Sequence, residues 1–147
     1  MTLRPEAIHD AIFVDTSGWA EPVLRNSPNA EAMVQFAQSL FASKRTLITT
    51  DDVLNELVAL LTSRSHSLAR PALIQFFNRI RAMPQVFIVH VDETIWAESW
   101  ALIERMNDKE WSLVDASSFV VMRRFGVYEA FTSDHHYTQA GFSRLPV

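Results

Sequence analysis

Four acidic residues stand where apolar segments begin or end, far apart along the chain. Asp15 follows the apolar residues 11–14, and Asp134 follows a second apolar segment that ends near residue 132. Glu56 and Asp115 each fall early in a segment whose apolar residues recur at three- and four-residue spacing. Clustered carboxylates repel one another, so four of them stay ionised together mainly when a divalent cation offsets their charge. If these acids converge, they can form a metal site.

The donor atoms of such a site decide which metal it binds and which chemistry follows. Carboxylate oxygens favour hard ions, and the sequence contains no cysteine that could supply a thiolate ligand. We therefore expect Mg²⁺ or Mn²⁺ rather than zinc. Such an ion lowers the pKa of a bound water molecule and neutralises a phosphate, which is the chemistry of phosphodiester hydrolysis.

Each of the four acids also has a purely structural explanation. Asp15 could form an Asx-turn or cap the next helix, and Asp134 could be a simple turn residue. Asp115 lies three residues after Ser112, which matches a helix capping box. Glu56 falls at the border of the apolar stripe of its helix, where a carboxylate needs a partner. No Lys or Arg lies three or four residues away from Glu56, so this partner must come from elsewhere in the chain.

Short apolar runs alternate with longer amphipathic segments, which predicts a parallel sheet covered by helices. In such a sheet the carboxyl ends of the strands and the starts of the following helices share one edge, where the four acids could meet. We predict an α/β fold, a three-layer α/β/α sandwich with a central, mainly parallel sheet. The predicted strands are residues 11–14, 46–49, 86–91, 128–132 and a short fifth at 142–145, and the predicted helices are residues 19–24, 28–42, 51–62, 67–83, 93–106 and 113–125.

Several predicted elements carry specific signals at their ends. Residues 16–18, Thr-Ser-Gly, are typical of a turn. Pro71 is tolerable only because it lies near the first turn of its helix, and Asp92 is a suitable N-cap. Gly126 ends the helix that begins at residue 113. Asp52 could be a fifth site carboxylate, but its place at the start of a helix favours a capping role.

The composition is that of one globular domain, residues 1–147, without a membrane span. Hydrophobic residues make up 48% of the 147 residues, and no apolar run reaches the roughly 18 residues that cross a bilayer. Residues 1–10 lack the apolar core of a signal peptide, and the absence of cysteine is compatible with a reducing compartment, so we expect a cytoplasmic protein. The net charge of −4 neither shows nor excludes a nucleic-acid partner, because four site acids would account for it.

The order and contexts of the acids resemble those of the PIN-domain nucleases, and within them the VapC-type toxins of bacterial toxin–antitoxin pairs. The resemblance runs from residue 12 to residue 146. Each motif is weak alone, but their combination is fairly specific. The motifs are Val14-Asp15-Thr16-Ser17, Val53-Leu54-Asn55-Glu56-Leu57, Leu113-Val114-Asp115-Ala116 and Thr132-Ser133-Asp134.

This resemblance implies metal-dependent endoribonuclease activity on RNA, often tRNA or ribosomal RNA. It implies that Asp15, Glu56, Asp115 and Asp134 are the catalytic acids around Mg²⁺ or Mn²⁺. We hypothesise that Asp15 and Asp115 contact the metal directly, and that Glu56 and Asp134 bind a second metal or position the nucleophile through water. Ser17 matches the family hydroxyl that supports the site. Such toxins are usually homodimers that a small antitoxin protein neutralises. Residues 1–10 extend the common pattern at the N-terminus.

The alternative function is a PIN-type module that has lost catalysis and only binds RNA or a protein. The complete set of four acids argues against it. Two other enzyme classes that place an Asp after a first strand fit poorly. A haloacid-dehalogenase phosphatase needs a second Asp where Ser17 stands, and a receiver domain needs an acidic pair at the first strand.

Several other side chains have a functional and a structural interpretation. His135 and His136 could contact phosphate or metal, but exposed loop histidines are the favoured interpretation. Trp19 could stack on a base or contact an antitoxin, and core packing explains it at least as well. Trp96 and Trp100 share a helix face and indicate a core or a dimer interface. The Lys and Arg residues fit helix ends and solvated faces, so we assign none to the site.

Overall fold

Five short strands form one sheet in the computed structural model, which describes residues 10–147. Their spatial order is β3-β2-β1-β4-β5, and all four neighbouring pairs are parallel. The predicted α/β sandwich is confirmed, with a sheet that is wholly parallel rather than mainly parallel. The strands are β1 (Ile12–Val14), β2 (Leu47–Thr50), β3 (Val86–Val89), β4 (Glu129–Phe131) and β5 (Ser143–Leu145).

Strand β1 lies at the centre of the sheet because its side chains can be buried on both faces. Ile12, Phe13 and Val14 are all fully buried. A strand covered by helices on both sides needs consecutive apolar residues, which is the pattern that the sequence shows. Parallel pairing joins Phe13 to Ile48 of β2 and to Ala130 of β4.

Seven helices flank these strands in the described residues. Helix α1 packs against α2, and α5 packs against α6. The predicted helix signals at Asp92 and Gly126 are confirmed, since the Asp92 side chain accepts the Ile95 backbone N–H at 2.8 Å and Gly126 adopts a φ of 67°. The helices are α1 (Thr16–Leu24), α2 (Ala30–Ala42), α3 (Asp51–Leu61), α4 (Arg70–Ala82), α5 (Glu93–Arg105), α6 (Leu113–Phe125) and α7 (His136–Gln139).

The turn predicted at residues 16–18 is wrong, because α1 begins at Thr16, directly after Asp15. Gly18 therefore serves close packing rather than a turn. A Cβ atom at this position would lie 2.3 Å from the carbonyl oxygen of Phe131 in β4. Only glycine lets the first turn of α1 approach the end of β4 this closely.

Two further differences arise from contacts that the apolar pattern of the sequence does not reveal. Helix α4 begins at Arg70 rather than near Ser67, because Ser67 adopts a φ of 47° and donates its hydroxyl to the carbonyl of Arg64 at 3.1 Å. Helix α7 was not predicted. Its four residues are too few for a periodic pattern, and it forms because Tyr137 is fully buried against Phe13.

The carboxyl ends of β1 and β4 meet at the centre of one sheet edge. Val14 pairs with Phe131, and the Asp15 backbone N–H donates to the Phe131 carbonyl at 3.2 Å. The residues that follow these two strands are therefore neighbours, as expected at a point where the strand order reverses. The described helices include none that is long and apolar enough to cross a membrane. The predicted N-terminal extension lies outside the described residues, except for Asp10.

Candidate active site

Asp15 is held by a chain of hydroxyl groups from α1 and the end of β4. The Thr132 hydroxyl donates to Asp15 Oδ2 at 2.9 Å, and the hydroxyls of Ser17 and Thr132 lie 3.1 Å apart. Because Thr132 gives its single proton to the carboxylate, Ser17 must donate to Thr132. Ser17 in turn accepts the Ser133 backbone N–H at 3.0 Å, and Thr132 accepts that of Asp134 at 3.0 Å.

With its side chain held in this way, Asp15 does not cap helix α1, which was the purely structural explanation for this residue. The residue occupies the N-cap position of α1, but its side chain makes no capping hydrogen bond. Only 5% of Asp15 is exposed. Burial raises its pKa from the usual 3.8 to about 6, the charge of Asp115 acts in the same direction, and hydrogen bonding opposes both. A carboxylate so buried without a cationic partner is destabilised when it ionises.

Glu56 projects from α3 into the same region. Its Oε1 accepts the hydroxyl of the buried Thr16 at 2.6 Å, so its partner is distant in sequence, as predicted. Glu56 was predicted to lie at the border of the apolar stripe of its helix. The structure places it further toward solvent, among the exposed residues of α3. Consecutive hydroxyl residues of α1, Thr16 and Ser17, thus reach two different acids of the site, the second through Thr132.

Asp115 combines its predicted capping role with a contact to His136. The capping box with Ser112 is present, since Asp115 Oδ2 accepts the Ser112 backbone N–H at 3.1 Å. The same oxygen lies 3.1 Å from His136 Nδ1. Burial raises the pKa of Asp115, the charge of Asp134 adds to this rise, and His136 opposes it.

Asp134 follows β4 and shares the ring nitrogen Nδ1 of His136 with Asp115. Its Oδ1 accepts the His136 backbone N–H at 2.9 Å, which is the turn contact that the structural alternative predicted. The same oxygen lies 3.3 Å from His136 Nδ1. His136 is therefore the side chain that joins two of the predicted site acids, and the expectation of an exposed loop histidine is wrong for it.

The structure brings all four predicted acids to one place. Asp15, Glu56 and Asp134 line a common pocket of about 290 Å³, and Asp115 adjoins it through His136. Among the residues lining this pocket, only His66 can carry a positive charge. The catalytic and metal-binding roles of the four acids remain predictions.

The chemistry of this donor set fits a hard divalent cation. No Lys or Arg of the described chain forms an ion pair with any of the four acids, although Arg45 and Arg124 pair with other carboxylates. Glu56, Asp115 and Asp134 each use a single carboxylate oxygen in the contacts described above, which leaves the second oxygen for a metal. Clustered carboxylates of this kind require a compensating charge.

Other side chains singled out from the sequence lie away from the pocket. Asp52 accepts the Ser117 hydroxyl at 3.3 Å and joins α3 to α6, while the N-cap of α3 is Thr50. Trp19 is a core residue, since only 2% of it is exposed. The indole rings of Trp96 and Trp100 stack 6.1 Å apart on the surface of α5, so the core interpretation is wrong for this pair.

Sequence reasoning missed two residues that organise the site, Thr16 and Thr132, and favoured the wrong interpretation of a third, His136. Thr16 positions Glu56, Thr132 links Asp15 to the chain beyond β4, and His136 links Asp115 to Asp134. Thr16 directly follows Asp15 and Thr132 stands two residues before Asp134, both inside the quoted motifs, and this was the available signal. For His136, the signal was its place two residues after Asp134.

The family model of the PIN domain matches residues 12–143. The chain therefore belongs to the PIN-domain family, as its motifs predicted. It is 36% identical over 132 residues to the 23S rRNA-specific endonuclease VapC20 of Mycobacterium tuberculosis, a match that covers 89% of this chain and 95% of that protein.

Two solved structures have the same fold. The crystal structure of VapC20 from Mycobacterium tuberculosis, described as a sarcin-ricin loop cleaving toxin, matches with a TM-score of 0.76 at 30% identity and covers 89% of this chain and 95% of that one. The structure of FitAcB from Neisseria gonorrhoeae matches with a TM-score of 0.62 over 90% of this chain and 95% of that one. At 20% identity, this second likeness shows the fold alone.

Proposed function

We propose that this protein is a metal-dependent endoribonuclease that hydrolyses RNA phosphodiester bonds and acts as the toxin of a type II toxin–antitoxin pair. The observation that carries the proposal is the meeting of four carboxylates at one sheet edge, with no Lys or Arg paired to them in the described chain. The similarity to an rRNA-specific endonuclease over most of both chains supports the same activity.

The residues that would hold Mg²⁺ or Mn²⁺ are Asp15 and Asp115, together with Glu56 and Asp134. When bound, such an ion supplies an activated water and neutralises charge on the scissile phosphate. The burial of Asp15 serves this role, because a carboxylate that is poorly solvated in the free protein gains most from a cation.

The remaining residues of the site act by fixing the directions of these carboxylates. Thr132 restricts rotation of Asp15 through its hydrogen bond to Oδ2, and Ser17 restrains Thr132 in turn. Thr16 restrains the exposed Glu56 through Oε1. An orienting hydrogen bond limits the rotamer freedom that ligand binding would otherwise have to remove.

The substrate that we propose is ribosomal RNA, with the sarcin-ricin loop of 23S rRNA as the first sequence to test. This choice rests on the descriptions of VapC20. The pocket has an exposed acid, Glu56, at its wall, so a bulky polymer can reach it. His66 is placed to contact a phosphate of the RNA, since it is the one residue of the pocket lining that can carry a positive charge.

The family resemblance supports the remaining parts of the proposal. We propose a cytoplasmic homodimer that a cognate antitoxin protein inhibits, with residues 1–147 as a single nuclease domain and residues 1–10 as its N-terminal extension. The stacked pair Trp96 and Trp100 is a candidate dimer surface, because two half-exposed indoles on one helix leave an apolar area uncovered.

Cleavage of a synthetic sarcin-ricin loop RNA tests the activity. We expect cutting with Mn²⁺ or Mg²⁺, none with EDTA, and none for Asp15→Asn, whose circular dichroism spectrum should match that of the wild-type protein. The binding-module alternative predicts that the wild-type protein retards this RNA in a gel without cutting it. Activity of Asp15→Asn close to that of the wild-type protein would refute the assignment of Asp15.

A further inference from the structure

His136 contacts two of the proposed metal ligands through one ring nitrogen. Its Nδ1 lies 3.1 Å from Asp115 Oδ2 and 3.3 Å from Asp134 Oδ1. Its backbone N–H also donates to Asp134 Oδ1, at 2.9 Å. The adjacent His135 differs, because its side chain is 69% exposed and its Nδ1 approaches Asp134 Oδ1 only to 3.8 Å.

We propose that His136 is a positioning residue for metal binding, which holds Asp115 and Asp134 at a fixed separation through its Nδ1–H group. Ionised carboxylates accept hydrogen bonds but cannot donate them, so the nitrogen that the two acids share carries the proton. This inference rests on the proposed function only for the identity of the metal ligands.

The contact matters because it connects two separate parts of the fold. Asp115 belongs to the first turn of α6, and Asp134 follows β4. In the contacts described, Asp115 uses only Oδ2 and Asp134 only Oδ1. With these two oxygens held by His136, the other oxygen of each carboxylate is free for a cation, and its direction is set.

The ring itself is fixed by the packing of α7. Tyr137, the next residue, is fully buried, and its ring packs against Phe119 of α6 at 5.0 Å and Phe13 of β1 at 6.3 Å between ring centroids. The side chain of His136 is only 20% exposed. A hydrogen-bond donor on such an anchored element can orient metal ligands, and the loss of such partners typically weakens metal affinity about 10–100-fold.

Mn²⁺ binding by the full-length protein without RNA tests the proposal, measured by isothermal titration and by the electron paramagnetic resonance signal of free Mn²⁺. We expect His136→Ala to bind Mn²⁺ about 10–100-fold more weakly than the wild-type protein. His136→Asn should recover most of this loss, because the Asn side-chain amide reaches the position of Nδ1. His136→Gln, whose amide reaches toward the position of Nε2, should recover less.

His135→Ala is the matched control and should bind Mn²⁺ as the wild-type protein does. Wild-type affinity in His136→Ala would overturn the proposal. Failure of His136→Asn to recover affinity, while its thermal unfolding in EDTA matches that of the wild-type protein, would also overturn it and indicate a direct metal ligand instead. RNA cleavage is measured separately. A protein whose Mn²⁺ affinity depends on His136 but which cuts no RNA would refute the proposed function and leave this inference intact.

Discussion

Replacement of Asp15 by Asn should stabilise the metal-free protein at alkaline pH while it abolishes metal binding. Burial raises the pKa of Asp15 from 3.8 to about 6, so the folded state binds this proton more tightly than the unfolded chain does. The contribution of Asp15 to stability is therefore greatest below about pH 4 and is lost as the pH rises through 6. A pKa about two units above normal corresponds to about 3 kcal/mol of destabilisation at pH 8.

The Asn side chain removes the charge and keeps an oxygen that can accept the Thr132 hydroxyl. Part of this gain in stability is offset because the new amide NH₂ group lacks an assured hydrogen-bond acceptor, which costs about 1–3 kcal/mol. This offset does not depend on pH. The stability of Asp15→Asn relative to the wild-type protein should therefore be higher at pH 8 than at pH 4.5 by about 2 kcal/mol.

Urea denaturation in EDTA at the two pH values measures this difference. Asp108→Asn is the control, because the Asp108 side chain is 68% exposed and lies outside the site. Addition of Mn²⁺ should stabilise the wild-type protein and leave Asp15→Asn unchanged. A stability difference that is the same at both pH values, or an equal pH dependence for the Asp108 control, would refute the reasoning from burial.

Three other predictions concern packing, orientation and substrate contact. Gly18→Ala should destabilise the protein by about 1–3 kcal/mol in the same denaturation assay, because the new methyl group would clash with the Phe131 carbonyl. Wild-type stability of this variant would contradict the close approach of α1 to the end of β4. Thr132→Val should lower thermal stability and reduce RNA cleavage at saturating substrate, since it removes one hydroxyl that makes three hydrogen bonds. An unchanged kcat would refute the role of Thr132 in orienting Asp15. His66→Ala should weaken binding of uncleaved RNA several-fold in a filter assay with EDTA and raise KM more than it lowers kcat. His90→Ala, which changes a histidine that faces Asp51 outside the pocket, should have no such effect.

Local patterns predicted an element correctly where the segment carries signals at both of its ends. The boundaries of α6 were predicted to the residue, because Ser112 and Gly126 supply both of its end signals. The central position of β1 followed from its run of apolar residues, which only a doubly covered strand accommodates. Where a boundary depended on a contact from elsewhere, as at Gly18 against Phe131, the local interpretation failed.

The sequence by itself determined the fold class and the family and predicted that the four acids would meet, because these depend on residue order and on the edge that parallel strands share. Only the tertiary structure decided how the acids are held. The reach of Thr132 to Asp15 depends on the register of β4 beside β1. The bridge from Asp115 to Asp134 through His136 depends on the packing of α7 against α6. Such contacts join residues that are far apart in the chain, and no local periodicity encodes the distance between them.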